Sequence, residues 1–260
     1  MRRTTCVAIV GFVLGCASHA TAQSDFQWHG QLASGQTIEI KGINGKVEAT
    51  RASGVETEVT ATRSARRSNP SDVRLEVVPH PGGVTICAVY PNVPGREPNA
   101  CDPGPKSRSH TKDNDTVVHF TVRVPIGVGF IGRTVNGNVE ADSLQGNAEG
   151  YTVNGSVRLS TTGAALASTV NGSITASMGR ADWPDHASFS TVNGSITLEM
   201  PPALNADLNA ETVNGNIESE FQTTAIGILN RRRLHGTIGN GGQTLDLKTV
   251  NGSIKLRKAQ

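Results

Sequence analysis

Thr169-Val170-Asn171-Gly172-Ser173-Ile174 is one of six near-copies of a single hexapeptide, Thr-Val-Asn-Gly-(Ser/Asn)-(Ile/Val), which begin at Thr134, Thr152, Thr169, Thr191, Thr212 and Thr249. Successive copies start 17 to 22 residues apart, and the last starts 37 residues after its predecessor, about two periods. Self-similarity at this period marks a repeat architecture, in which each unit buries its apolar face only by stacking on its neighbours.

Apolar residues alternate with polar ones on both sides of the hexapeptide. Leu208 and Ala210 precede one copy and Ile196 and Leu198 follow another, while Arg158, Thr175, Thr197 and Lys255 fill positions between apolar residues. Period-2 alternation signals strands with one buried face. A diverged seventh copy lies upstream, where Ile38 and Ile40 lead into Gly42-Ile43-Asn44-Gly45 and then Val47 and Ala49. The repeat turns therefore fall at Asn44, Asn136, Asn154, Asn171, Asn193, Asn214 and Asn251.

Two architectures accommodate these strands. Asn-Gly between alternating strands is a strong hairpin signal, because a type I′ turn needs positive φ at both central residues. Stacked antiparallel hairpins joined at the Asn-Gly turns are the alternative fold. A coil corner is the favoured reading: parallel stacking rewards identical residues at every turn, lets Asn cap the turn with its own amide, and offers the Val after Thr a buried position. The expected fold is thus all-β, a single-domain, β-helix-like parallel β-solenoid with coils of about 20 residues. Residues 23–260 form the domain, irregular to about residue 130 and regular over 134–258.

The TVNGSI repeats, the upstream IEIKGINGKVEA (38–49) and the terminal TIGNGGQTLDLKTVNGSIKL (237–256) together resemble the bacterial putative-adhesin family, a domain of unknown function. The resemblance runs over roughly residues 26–258. It implies a secreted or envelope-associated β-solenoid and supplies no catalytic residues.

The N-terminus reads as an export signal. Arg2 and Arg3 precede an apolar run from Cys6 to Ala17, and Ala20-Thr21-Ala22 offers small residues before Gln23. That is the secretory pattern, too short to span a bilayer, so residues 1–22 are the expected signal peptide. Val13-Leu14-Gly15-Cys16 supports a second reading, a lipoprotein box with Cys16 as the lipidated residue; membrane contact is expected only in that case. Both readings place the protein in the periplasm or cell envelope, or outside the cell. Cys87 and Cys101 are the cysteines that remain after Ala22, and an oxidising compartment favours joining them.

Composition agrees with turning coils: glycine numbers 29, and aromatic residues make up only 4%. The segment 55–124 breaks the short period but still alternates, with 63–72 and 92–115 expected as exposed excursions. Phe26 and Trp28 are a candidate N-terminal cap. Lys255-Leu256-Arg257-Lys258 is expected to charge the opposite exposed edge, which would discourage end-to-end pairing.

The search for chemistry yields little. The seven histidines are scattered, and no His-x-x-x-His pair is present. His119 and His235 read as surface or packing residues. The serines after Asn-Gly are explained by turn chemistry, and Gly239-Asn240-Gly241-Gly242 reads as a turn. Arg63, Arg66 and Arg67, and Arg231-Arg232-Arg233, are local basic runs, but the formal net charge is only +2. The runs also lack interleaved aromatics for base stacking, so no nucleic-acid partner is expected. Glu140, Asp142, Glu199, Glu218 and Glu220 fall on outward positions. Stacked carboxylates of this kind could hold calcium or act as a glycosidase pair, yet Arg158 and Thr175 interrupt the series. No catalytic residue, metal ligand or cofactor is assigned. The expected function is a noncatalytic, adhesin-like binding or structural module whose partner is an envelope protein, glycan or lipid. A carbohydrate-active β-helix enzyme and an envelope-stress regulatory partner are the alternatives.

Overall fold

The computed structural model describes residues 25–106, 108–180, 183, 186–225 and 231–259. The expected signal peptide and Cys16 lie outside the described residues. The N-terminal region contains β1 (Phe26–Gly30), β2 (Thr37–Lys41), β3 (Val47–Arg51), β4 (Thr57–Ser64), a 3-10 turn at Pro70–Asp72, β5 (Arg74–His80), β6 (Gly83–Val89) and β7 (Val117–Val124). The repeats follow as β8 (Gly129–Arg133), β9 (Val139–Leu144), β10 (Ala148–Tyr151), β11 (Val157–Thr161), β12 (Ala165–Ser168), β13 (Ile174–Met178), β14 (His186–Asn193) and β15 (Ile196–Met200). The chain continues with β16 (Ala206–Asn214), β17 (Ile217–Ser219), β18 (Thr223–Ala225), β19 (Arg233–Ile238), β20 (Thr244–Asn251) and β21 (Ile254–Lys258).

These strands form a two-sheet β-solenoid. One sheet runs β1-β4-β7-β3-β9-β11-β13-β15-β21-β17, and the other β18-β19-β16-β20-β14-β12-β10-β8-β2-β6-β5. Each repeat contributes one strand to each sheet, and the Asn-Gly turn is the corner between them. Pairing through the coils is parallel, as in Val157↔Ile174 and Ile174↔Ile196, and the corners themselves stack as Asn136↔Asn154 and Asn154↔Asn171. Among the described residues only Asp113 and Ser143 have positive φ outside glycine, so the Asn-Gly pairs are not type I′ turns. The hairpin alternative is thereby excluded for the repeats.

The alternation fixes the core. Val139, Val157, Ile174, Ile196 and Ile254 form one inward column of the first sheet, and each is at most 1% exposed. Across the core the second sheet supplies small residues where the sheets approach most closely. A Cβ on Gly150 would fall 2.4 Å from Val157 Cγ1. The main core therefore continues from Ile38 and Phe120 through Phe130 and Phe189 to Leu245 and Leu256.

Chain order and stacking order part company at both ends. The β2–β3 coil lies between β6–β7 and β8–β9, and the β20–β21 coil lies between β14–β15 and β16–β17. The expectation that 255–258 forms an exposed edge is therefore wrong: β17 stands outside β21, and Lys255 lies 3.7 Å from Glu218. The 37-residue interval is explained by the same detour, because the chain first builds β16–β17 and the antiparallel β18 and β19 beyond it. At the opposite end β1 pairs antiparallel with β4, and Phe26 and Trp28 pack half-buried on the core as an N-terminal cap.

The expected excursion over 92–115 is also corrected, because part of it is packed onto the outer face of the second sheet. Buried Asn99 holds it: its side-chain amide donates to Tyr90 O at 3.0 Å and His110 O at 2.7 Å, while its Oδ1 accepts from His110 N at 2.7 Å. Nor is Arg63 free in the 63–72 segment, since its guanidinium donates to Asp25 Oδ2 at 2.8 Å and Val73 O at 2.7 Å.

Candidate functional site

Each position of the Thr-Val-Asn-Gly-Ser-Ile corner has a separate duty. The Thr hydroxyls point inward and donate to a glycine carbonyl of the adjoining coil, as from Thr152 to Gly137, Thr169 to Gly155 and Thr191 to Gly172, each at 2.8 Å. The glycines permit that approach: a Cβ on Gly155 would sit 2.0 Å from Gly137 O. The Ser side chains accept from the backbone of the next coil, as Ser173 does from Ser195 N at 3.2 Å.

The Asn side chains do not cap their own turns. They form a continuous amide ladder along the stack. Asn136 donates to Asn44, Asn154 to Asn136, Asn171 to Asn154, Asn193 to Asn171, Asn251 to Asn193 and Asn214 to Asn251, at 2.7 to 2.9 Å. Every Nδ2 points the same way, and Asn44 passes the ladder on to Thr116 O at 3.4 Å.

The Val positions overturn the burial expected of them. Val135, Val153, Val170, Val192 and Val250 are 37 to 39% exposed and Val213 is 56% exposed, whereas the preceding Thr residues are buried. Parity explains this: the Thr side chain takes the inward position, so its neighbour must face solvent. The result is a stripe of isopropyl groups beside a row of primary amides, repeated at a coil spacing of about 4.8 Å.

A second organised region covers β2. Cys87 and Cys101 are joined as a disulfide, which closes the loop over buried Glu39 and Lys41. Glu39 accepts from Thr85 Oγ1, Gly104 N and Arg133 Nε at 2.8 to 2.9 Å. The Lys41 ammonium donates to the carbonyls of Asp102, Gly104 (2.5 Å) and Lys106 (2.8 Å). Burial lowers the Lys41 pKa, against the opposing pull of Glu39. Arg133 also lies over the Tyr151 ring at 4.1 Å. Burial and the neighbouring Glu149 carboxylate push the Tyr151 hydroxyl well above its ordinary value. With its partners so satisfied, this network binds loop to sheet.

The other residues singled out from sequence do not converge. In the first sheet Glu199 is paired in register with Arg257, and Glu140 lies between Glu48 and Arg158. Glu211, not among them, receives Arg233 at 3.0 Å and His235 at 3.1 Å. His119 accepts from Lys46 N at 3.1 Å, and its pKa is lowered first by burial and then by the Lys46 charge. Arg66 and Arg67 lend backbone N–H groups to Asp115. Gly239–Gly242 is the turn into β20, held by Asn240 N donating to Asn205 Oδ1 at 2.8 Å.

Two features escaped the sequence because their parts are distant in the chain. His29, Glu56 and Glu58 bring ligand atoms within 4.8 Å of one another on the β1–β4 edge, all exposed. A cleft of about 540 Å³ at the far end of the Val stripe is lined by Glu211, Val213, Arg232, Arg233, Lys248 and Val250, among others. Antiparallel pairing of β16 and β19 brings Arg233 to Glu211 there.

Fold and corner together define the class: a parallel two-sheet β-solenoid assembled from Asn-Gly-cornered coils, offering a repeated surface. Residues 133–257, the repeat region, match the model of the Toastrack DUF4097 family. The match is shorter than the resemblance read from sequence, since the upstream coils share the stack without falling within it. Among solved structures the chain is similar to a putative cell adhesion protein from Clostridium sporogenes ATCC 15579, with 9% identity, 90% of this chain and 99% of that chain covered, and a TM-score of 0.44. It is also similar to a putative adhesin from Bacteroides fragilis NCTC 9343, with 13% identity, coverage of 91% and 98%, and a TM-score of 0.34. No curated protein matches the chain.

Proposed function

We propose that the protein is a noncatalytic, exported cell-envelope module of adhesin type, which acts by surface contact through its repeated β face. The observation that carries this reading is the uniformity of the corner: seven stacked Asn residues hold one geometry. Glu199 and Glu218, the carboxylates best placed for a hydrolytic pair, each face a cation in register, Arg257 and Lys255, rather than a second carboxylate. Export is supported by the Arg2-Arg3 start and apolar run, and by a disulfide of the kind that persists in oxidising compartments. Release after Ala22 and lipidation at Cys16 are the two routes; if the second operates, Cys16→Ala moves the protein from membrane to soluble fractions.

The test of noncatalytic action is incubation of purified protein with envelope polysaccharides and peptidoglycan, followed by assay for new reducing ends or unsaturated products. No turnover is expected. Turnover abolished by Glu199→Gln or Glu218→Gln would overturn the reading, because losing a catalytic carboxylate removes transition-state stabilisation, not merely one of many contacts.

A further inference from the structure

The outer edge of the corner carries a chemical pattern that selects among partners. An Asn side-chain amide has two N–H donors and a carbonyl oxygen with two lone pairs. Within the ladder, Asn154, Asn171 and Asn193 each use one N–H toward one neighbour and one lone pair toward the other. Each is exposed and is left with one N–H and one lone pair facing solvent. Beside each stands an exposed isopropyl, at Val153, Val170 and Val192. Every coil therefore offers a donor, an acceptor and an apolar contact in a fixed arrangement.

The surroundings of the central coils are close to neutral. Ser168 and Ser190 occupy the adjoining outward row of the second sheet, and Thr175 and Thr197 the adjoining row of the first. Arg158 is the charge in that part of the first-sheet row. An anionic lipid surface or nucleic acid finds no complementary field along this stretch. Cations border the stretch, with Arg133 in register with Tyr151 at one end and Lys248 and Lys255 in register with Ser190 and Thr197 at the other.

An acetamido group is the complement of one corner, because it carries a carbonyl acceptor, an N–H donor and a methyl group. We propose that the Val–Asn corner binds an extended glycan bearing acetamido groups, laid along the stack over Val153, Val170 and Val192. This assignment rests on the surface-binding function proposed above and names its ligand class and face. A single exposed corner binds weakly, and affinity accrues because successive contacts on one polymer become intramolecular.

The experiment compares retention of purified protein on insoluble chitin and on cellulose, which share their linkage and neutrality and differ in the acetamido group. Retention on chitin is expected to exceed that on cellulose by about tenfold or more, and to change little between low and high salt. The combined variant Val153→Lys, Val170→Glu, Val192→Lys places alternating charges on exposed positions. It is expected to keep the wild-type melting temperature while losing chitin retention by about tenfold. Equal retention on the two polymers, or retention untouched by a folded variant, overturns the assignment. In either case, binding to a glycan array or to a defined envelope fraction leaves the broader reading standing, and absence of all binding removes both. A dimer seen by sedimentation in the wild type and abolished in the variant would assign the face to a second copy of the chain, and would equally overturn the glycan proposal.

Discussion

Val170 and Ile174 are both apolar members of one hexapeptide, yet they differ in what a charge would do to them. Ile174 is fully buried in an inward column, so Ile174→Asp places an unpaired carboxylate in the core and should cost about 4 kcal/mol or more. Val170 is 39% exposed, and Val170→Asp should stay within about 0.5 kcal/mol. Denaturant midpoints of the two variants check the assignment of faces, and equal losses would refute it. The sequence repeats Val170 as faithfully as Ile174. Repetition alone therefore could not reveal which was buried; that depended on the Thr hydroxyl finding a glycine carbonyl inside. The Asn ladder makes a subtler prediction. Asn171→Asp keeps an acceptor for Asn193 but loses the donor to Asn154, and it sets a carboxylate against that oxygen. The introduced carboxyl should have a folded pKa raised above its unfolded value of about 3.9. Its penalty, about 1 kcal/mol, should thus be present at neutral pH, fade as pH falls through the raised folded value, and be gone below the unfolded value of about 3.9. Thermal melts of this variant at pH 3.5 and pH 7 decide it, with a loss that is constant or larger at low pH counting against the ladder.

Between the coils, the elements that break the repeat are held by chemistry the alternation pattern does not encode. The sequence made the strands of 55–124 legible, but it could not show that Asn99 and Lys41 would dock the 92–115 segment, because their partners are backbone carbonyls. The Cys87–Cys101 bond spans 14 residues, and opening it should cost about 3 kcal/mol in the chain-entropy account. Non-reducing peptide mapping should recover the joined peptides, and reductant should lower the melting temperature; free thiols at both positions in protein taken from an oxidising compartment would contradict this. Asp115 ties the same segment to 66–68. Its carboxyl is held at about 2, first by hydrogen bonds from Ser68 and then by the Arg66 and Arg67 backbone. A depressed folded pKa contributes stability that is complete above the unfolded value near 3.9. That contribution is lost as pH falls through about 2. The Asp115→Ala variant should therefore show a shallower loss of urea resistance between those limits than wild type, and an unchanged slope would remove the tie from the acid response.

On the scale of the whole molecule, the repeat period and the Asn-Gly corners made the solenoid legible, while the order in which its coils stack was hidden. Sequence proximity suggests that the last copy ends the stack, but Ile254 pairs with both Ile196 and Ile217, so the C-terminal coil has a neighbour on each side. The N-terminal β2–β3 coil is enclosed in the same way, with Val47 paired to both Phe120 and Val139. In a solenoid stacked in chain order, stability is a sum of nearest-neighbour terms and terminal repeats fray first. Here fraying of β20–β21 would break two parallel interfaces and expose Leu245, Leu247, Ile254 and Leu256 to water at once. At this end of the stack the elements free to open are instead internal in sequence, β17 and β18, which stand at the sheet ends. Native-state amide exchange should consequently find Leu247 and Leu256 as protected as Leu198, with opening free energies near the global value, while Glu218 and Thr224 exchange through small local openings. Rapid exchange at Leu247 and Leu256 with slow exchange at Glu218 would mean that the stack ends with the chain. Deleting residues 244–260 supplies an independent check. Loss of one terminal repeat would leave a shortened but cooperative unfolding transition, whereas removing a penultimate coil should strand β16–β19 without a partner and broaden or abolish the transition.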